Sequence, residues 1–347
     1  MFGVRALFRD SPRYSLETHL TIRPSRRRFA GRLEYSVSQM ESKQIAIGVV
    51  TSDPATTMPI GGSVHIAPVC VSYDGHASPG WLQDWSSFNG ILLSICFSDV
   101  EAHRIEGSAV MVAPGIAICA RHVVDPALPF IMSGAHSITC FAITKAGLRI
   151  WRVRKITMVD ASDLAILGLE LASHFSNGET LFLSTVTTRL PKEGEELLLC
   201  GFRAASTIFP RHETKFSGQV IVSKGRAKAR YPSGRDRVMM PWPCVEVSCA
   251  SWGGMSGGPV YDAQGMLIGV LSSSVTGEDN DGPSFVSLIW PALVAQFEGG
   301  WPEPVFRNPT RLVDLDARLC AIDRRNAVEY KVDEQTGTQL TEYHVWE

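Results

Sequence analysis

The stretch "SWGGMSGGPV", Ser251 to Val260, sets four glycines and a proline around a central serine, Ser256. Glycine supplies the positive φ of tight turns, and on that ground the segment reads as a turn and nothing more. It also has a chemical reading. A turn stripped of side chains lets backbone N–H groups face a reacting carbonyl, and such donors stabilise an oxyanion beside a serine nucleophile. The residues that follow bear on the fold: "GPVYDAQGMLIGVLSS" (258–273) reads as strand.

Upstream and downstream the chain keeps the same grammar of short apolar or alternating runs broken by Gly, Pro, Asp and Ser. "GILLSICFS" (90–98), "GSAVMVAPGIAICARHVV" (107–124), "SITCFAI" (137–143), "LRIWRVRKITMV" (148–159), "DLAILGLE" (163–170), "ELLLCGF" (196–202), "FSGQVIVS" (216–223), "CVEVSC" (244–249) and "SFVSLIW" (284–290) all read as strands. Many evenly spaced short strands predict antiparallel barrels or a sandwich. Helical periodicity is clearest in "WPALVAQFEG" (290–299) and weaker in "RLVDLDARLCAID" (311–323), and "AVEYKVDEQTGTQLTEYHVW" reads as a β-hairpin.

Composition narrows the classes. The 347 residues, 45% hydrophobic and 20% charged, suit a globular enzyme of about two domains. A formal net charge of −2 gives no general field for nucleic acid or a membrane surface, so neither is an expected partner. Two local basic stretches exist. The first 32 residues hold eight arginines, including Arg26, Arg27 and Arg28, and "SKGRAKARYPSGRDR" (223–237) reads as a solvated basic loop.

No window approaches the roughly 18 to 20 apolar residues of a membrane span, and Arg5 and Arg9 interrupt any secretory leader. Met40 is a plausible alternative start, so residues 1–39 are read as doubtful or partly disordered. The eight cysteines and nine histidines show neither CxxC nor metal-ligand spacing. Reduced thiols in a cytoplasmic protein are expected, with no metal and no cofactor.

A serine nucleophile needs a base, because the free hydroxyl is a poor nucleophile at neutral pH. His122 is the candidate, delivered at a strand end after the Pro114-Gly115 turn. The base in turn needs a carboxylate to hold its tautomer, and Asp163, standing directly before a continuous apolar strand, fits. Taken singly, His122 reads as a loop histidine and Asp163 as a turn cap.

Together these segments resemble the chymotrypsin-like serine peptidases, and among them the bacterial trypsin-like peptidases that lack disulfides and propeptide control. "GSAVMVAPGIAICARHVV" is similar to that family's hairpin ending in Thr-Ala-Ala-His, "SDLAILGLE" to its Asp-Leu-Ala-Leu strand, and "GGMSGGPVYDAQGMLIGVLSS" to its Gly-x-Ser-Gly-Gly-Pro turn. The resemblance covers roughly residues 85–300. It implies an all-β fold of two antiparallel six-stranded barrels, with a short C-terminal helix and tail and the site in the cleft between the barrels. The implied organisation is an N-terminal extension (1–80), a first barrel (81–195) with His122 and Asp163, a second barrel (196–300) with Ser256, and a tail (301–347). It further implies that Ser256 attacks, His122 serves as base and then acid, Asp163 orients His122, and the N–H groups of Gly254 and Ser256 form the oxyanion hole. Ser272 matches the serine that supports the acid.

Departures from the pattern carry information. Met255 stands where zymogen-type members have an aspartate, so activation by a newly cut N-terminus is not expected. Arg121 replaces a small residue before the histidine and is read as pointing away from it along a strand. Ala250 aligns with the base of the substrate pocket and Ser272, Ser273 and Ser274 with one wall. With no carboxylate at that base, a small or apolar residue is expected before the cut rather than Lys or Arg. Glu246 and Glu278 leave that expectation open. The functional reading is a serine endopeptidase acting on proteins or peptides, of unassigned oligomeric state. Its alternative is a silent scaffold of the same fold, kept alive by the altered "CARH" context. Esterase chemistry on an α/β-hydrolase elbow is disfavoured, because "GMSGG" leads into a strand rather than a helix.

Overall fold

Six strands close the first barrel: β1 (Leu92–Ser98), β2 (Ala102–Ala113), β3 (Ile116–Ala120), β4 (Ser137–Thr144), β5 (Gly147–Val159) and β6 (Leu164–Leu171). They pair antiparallel in the cyclic order β2-β1-β4-β5-β6-β3, and β3 returns to β2. The second barrel closes in the same way from β7 (Glu196–Ala204), β8 (Gly218–Tyr231), β9 (Cys244–Val247), β10 (Pro259–Tyr261), β11 (Leu267–Ser274) and β12 (Ser284–Leu288). Its cyclic order is β10-β7-β8-β9-β12-β11. The two six-stranded barrels of the chymotrypsin-like fold are therefore present. The structure is a computed structural model. It describes residues 44–47, 62–71, 80–82 and 88–346, apart from 136, 146, 174–177, 205–207, 211–217, 275–282, 302–304, 308 and 333–338.

The continuous apolar runs have a physical cause. In β1, β3, β6 and the second half of β2 (Gly107–Ala113) successive side chains point to opposite faces, and here both faces are buried. Leu93, Ala109, Met111, Ala117, Cys119, Ala165 and Leu167 fill the first barrel. Their neighbours Leu92, Val110, Val112, Ile116, Ile118, Leu164 and Ile166 join the core shared with the second barrel. Each such aliphatic side chain taken from water contributes about 1.5–3 kcal/mol. By contrast β4 alternates, with Ile138, Cys140 and Ala142 inward and its other face wetter, as a strand on the outer wall should. The Pro114-Gly115 turn pairs Ala113 with Ile116, and Gly115 holds φ +63° against the Trp301 carbonyl, where a Cβ would lie 2.2 Å from that oxygen.

Several expectations change. The supposed basic loop 223–237 lies mostly in β8, which continues to Tyr231, with Lys224, Arg226 and Lys228 more exposed and Ser223, Gly225 and Ala227 buried between them. Period-2 alternation of basic and small residues was the overlooked strand signal. The helix expected over 311–323 is a single 3-10 turn, Leu312–Asp314, because Leu312 and Leu315 bury against the second core without a helical stripe between them. The helix after β12 ends early, at Val294. The C-terminal hairpin forms, Val328–Val332 against Gln339–Tyr343. In the N-terminal extension, Gly62–Val69 pairs in parallel with Glu179–Ser184. The doubtful start, residues 1–39, lies outside the described residues. All eight cysteines are free, six of them buried, and no described helix is long and apolar enough to cross a membrane.

Candidate active site

His122 and Asp163 sit at the ends of adjacent strands. β3 stops at Ala120 and the chain turns into a short helix, Arg121–Val124, which carries His122, while Asp163 immediately precedes β6. The pairing Ala120–Leu164 fixes them side by side. The Asp163 carboxylate is buried and satisfied from three directions. It accepts the His122 backbone N–H on Oδ1 (3.0 Å), His122 Nδ1 on Oδ2 (2.8 Å), and the Ser272 hydroxyl on Oδ2. An ionised carboxylate only accepts, so Nδ1 carries the proton and Nε2 presents a lone pair. The imidazole is 47% exposed, so that lone pair can reach a reactant.

Arg121 belongs to the helical turn rather than to a strand. Its guanidinium lies 3.6 Å from Asp125, one turn on, and remains exposed.

Backbone contacts hold the Ser256 turn against β2 and the end of β3, the strand that leads into His122. The Ser256 carbonyl accepts the N–H of Ser108 on β2 at 2.8 Å. The next residue, Gly257, lies against β3: a Cβ there would come within 2.9 Å of the Ala120 nitrogen and 2.2 Å of the Ser108 carbonyl. At Gly258 a Cβ would strike the Cys200 carbonyl at 2.0 Å, and at Gly254, φ +92°, the Phe202 carbonyl at 2.6 Å. These glycines are there because the turn is wedged between β2, β3 and β7. The N–H groups of Gly257 and Gly258 are engaged by Leu271 and Met255 carbonyls. Those of Gly254 and Ser256 donate to no protein acceptor among the described residues. Two unused donors flanking a serine are the raw material of an oxyanion site.

Met255 points the other way and is fully buried among the apolar side chains of the second barrel. It packs so close to Gly201 that a Cβ there would meet its Cα at 2.6 Å. Replacing it with aspartate (Met255→Asp) would bury a carboxylate without a cation. The expected cost is at least about 3 kcal/mol, read as a lowered midpoint in urea denaturation. An unchanged midpoint would mean that a hidden partner exists at this position.

Around the expected substrate pocket, Ala250 is half-buried and Ser272 is buried, with its hydroxyl committed to Asp163. Ser273 is half-buried, and Ser274 pairs with Ser284 across β11 and β12. Sequence reading overlooked Ser284. Its hydroxyl contacts the Cys249 carbonyl (2.8 Å) and Ser251 Oγ (3.1 Å), the residues on either side of Ala250. Only the register of β11 on β12 could have revealed this. Glu246 is half-buried with its carboxylate at 3.5 Å from the Tyr231 hydroxyl, and Glu278 lies outside the described residues. One group among the described residues has metal-like reach: Glu329, Glu342 and His344, all exposed on the C-terminal hairpin.

Residues 107–270 match the family model of the trypsin-like peptidase domain. No curated protein matches the chain. Among solved structures, it is similar to the MamO protease domain from Magnetospirillum magneticum in its apo form. That likeness has 19% identity over 60% of this chain and 95% of that one, with a TM-score of 0.42. It is also similar to the Rv3671c protease in its inactive form, at 16% identity over 61% of this chain and 92% of that one, with a TM-score of 0.39.

Proposed function

We propose that the protein is a serine endopeptidase that hydrolyses peptide bonds through Ser256, His122 and Asp163. The observation that carries this reading is the hydrogen-bonded line from Ser272 through Asp163 to His122 Nδ1, together with a glycine turn, packed on the end of β3, whose Gly254 and Ser256 amides are unengaged. Nε2 of His122 takes the proton as Ser256 Oγ attacks the scissile carbonyl, and Asp163 stabilises the imidazolium that results. The developing oxyanion falls to the two free amides. The leaving amine then receives the proton from His122, and water repeats the sequence on the acyl-enzyme. A fluorophosphonate probe tests the reading. It should label the wild-type protein on the peptide containing Ser256 and leave Ser256→Ala unlabelled, whereas a wild type that takes no label is the silent scaffold.

The substrate is a protein or peptide with a small or apolar residue before the cut. Ala250 offers no charge, and the neighbouring Ser251 and Ser284 hydroxyls are already engaged with each other and with Cys249. Cleavage of a peptide library should enrich such residues, and enrichment of Lys or Arg would refute the assignment. Eight free thiols fit a reducing, cytoplasmic setting.

A further inference from the structure

Ser108 has a role that neither the triad nor the glycine turn explains. It lies on β2 of the first barrel, fully buried, yet every polar contact recorded for its hydroxyl and its N–H goes to the second barrel. Its hydroxyl donates to the Gly254 carbonyl and accepts the Phe202 N–H, both at 2.8 Å, and its backbone N–H donates to the Ser256 carbonyl at 2.8 Å. One residue thus holds two carbonyls of the turn that bears the free amides. We propose that Ser108 is a positioning residue that clamps the oxyanion turn in its open, donor-presenting form from across the barrel interface.

The physical need lies in the glycines. Gly254 sits at φ +92°, a region open to glycine at little cost, and the same freedom lets the peptides beside it rotate. Packing gives no help on the upstream side, since a Cβ on Gly253 would meet nothing within 4 Å. The carbonyl of Gly254 is fixed by the Ser108 hydroxyl, and that sets ψ of Gly254. The Ser256 carbonyl is fixed by the Ser108 N–H on the far side of the Ser256 amide. A rotated turn would turn one or both donors away from the reacting carbonyl, where their value is lost. The hydroxyl is itself held by the β7 amide of Phe202, so it cannot swing to follow a rotating turn. Because donor and acceptor lie on different barrels, the clamp also ties oxyanion geometry to how the barrels sit against each other.

The inference rests on Ser256 being the nucleophile, and the test separates the two ideas. Ser108→Ala and Ser108→Thr are compared with wild type by steady-state kinetics on a peptide substrate and by amide hydrogen exchange read by mass spectrometry. Expected for Ser108→Ala is a kcat about 10²-fold lower with KM within about twofold, the pattern of a contact that matters in the transition state. Exchange should rise in the peptide spanning residues 251–258 and stay unchanged in β6. Ser108→Thr keeps the hydroxyl on a strand that favours β-branched side chains, and should restore both readouts toward wild type. Unchanged exchange at 251–258 in Ser108→Ala overturns the clamp, as does a rise shared equally by β6, which marks general destabilisation. A wild type inert to fluorophosphonate that still shows the localised exchange difference would sink the hydrolase reading and leave the clamp standing.

Discussion

Ser256→Ala is expected to lower kcat on a peptide substrate by about 10⁶-fold while leaving the thermal midpoint within a few degrees of wild type. The size follows from how such groups act as a unit, because without the nucleophile His122 has no proton to take and no imidazolium forms for Asp163 to stabilise. Stability is expected to survive because the Ser256 hydroxyl makes no hydrogen bond among the described residues and is only half-buried. The turn itself is held by backbone and glycine contacts that alanine leaves intact. Active-site titration and differential scanning calorimetry check the two halves together. A variant that kept more than about a hundredth of the rate would show that Ser256 is not the attacking group.

Asp163→Asn is the second large effect, with kcat lower by about 10⁴-fold. The amide is nearly isosteric with the carboxylate, so the surrounding packing should persist. Its hydrogen-bonding character differs, however. In the wild type both carboxylate oxygens accept, one from the His122 backbone N–H and one from Nδ1. With the amide oxygen kept on the backbone N–H, the NH₂ faces Nδ1, which must then become an acceptor. The imidazole proton moves to Nε2, and the lone pair that should receive the Ser256 proton is gone. The imidazolium also loses its counter-charge. Steady-state kinetics measures the loss, and nitrogen NMR of the imidazole reads the tautomer directly. A variant with wild-type kcat and a proton still on Nδ1 would refute the orienting role of Asp163.

What could be read in advance followed burial and spacing. The residues of β1, β3 and β6 announce themselves as unbroken apolar runs because each lies between two cores, and the Pro114-Gly115 turn is legible because only glycine accepts φ +63° there cheaply. The basic stretch after Ser223 reads as a loop on charge alone, yet its basic residues alternate with small ones, and in β8 Lys224, Arg226 and Lys228 are more exposed than the Gly225 and Ala227 between them. Similarly, the apolar residues of 311–323 looked helical, yet Leu312 and Leu315 are held by the second barrel's core, which overrides local periodicity.

Composition, the three motifs and their order by themselves determined the all-β class, the antiparallel strands, the trypsin-like resemblance and the candidates His122, Asp163 and Ser256. Local patterning is enough for that, since glycine turns, strand runs and a short acid or imidazole at a strand end are written in consecutive residues. Strand patterning left barrels and a sandwich both open, the resemblance implied two barrels, and the strand pairings of the tertiary structure close them. Tertiary structure alone set Ser284 beside Ser251 and brought Ser108, 146 residues before Gly254, onto the turn that carries Gly254 and Ser256. Those contacts depend on strand register and barrel closure, which sum many weak preferences over the whole chain, and no short window of sequence contains them.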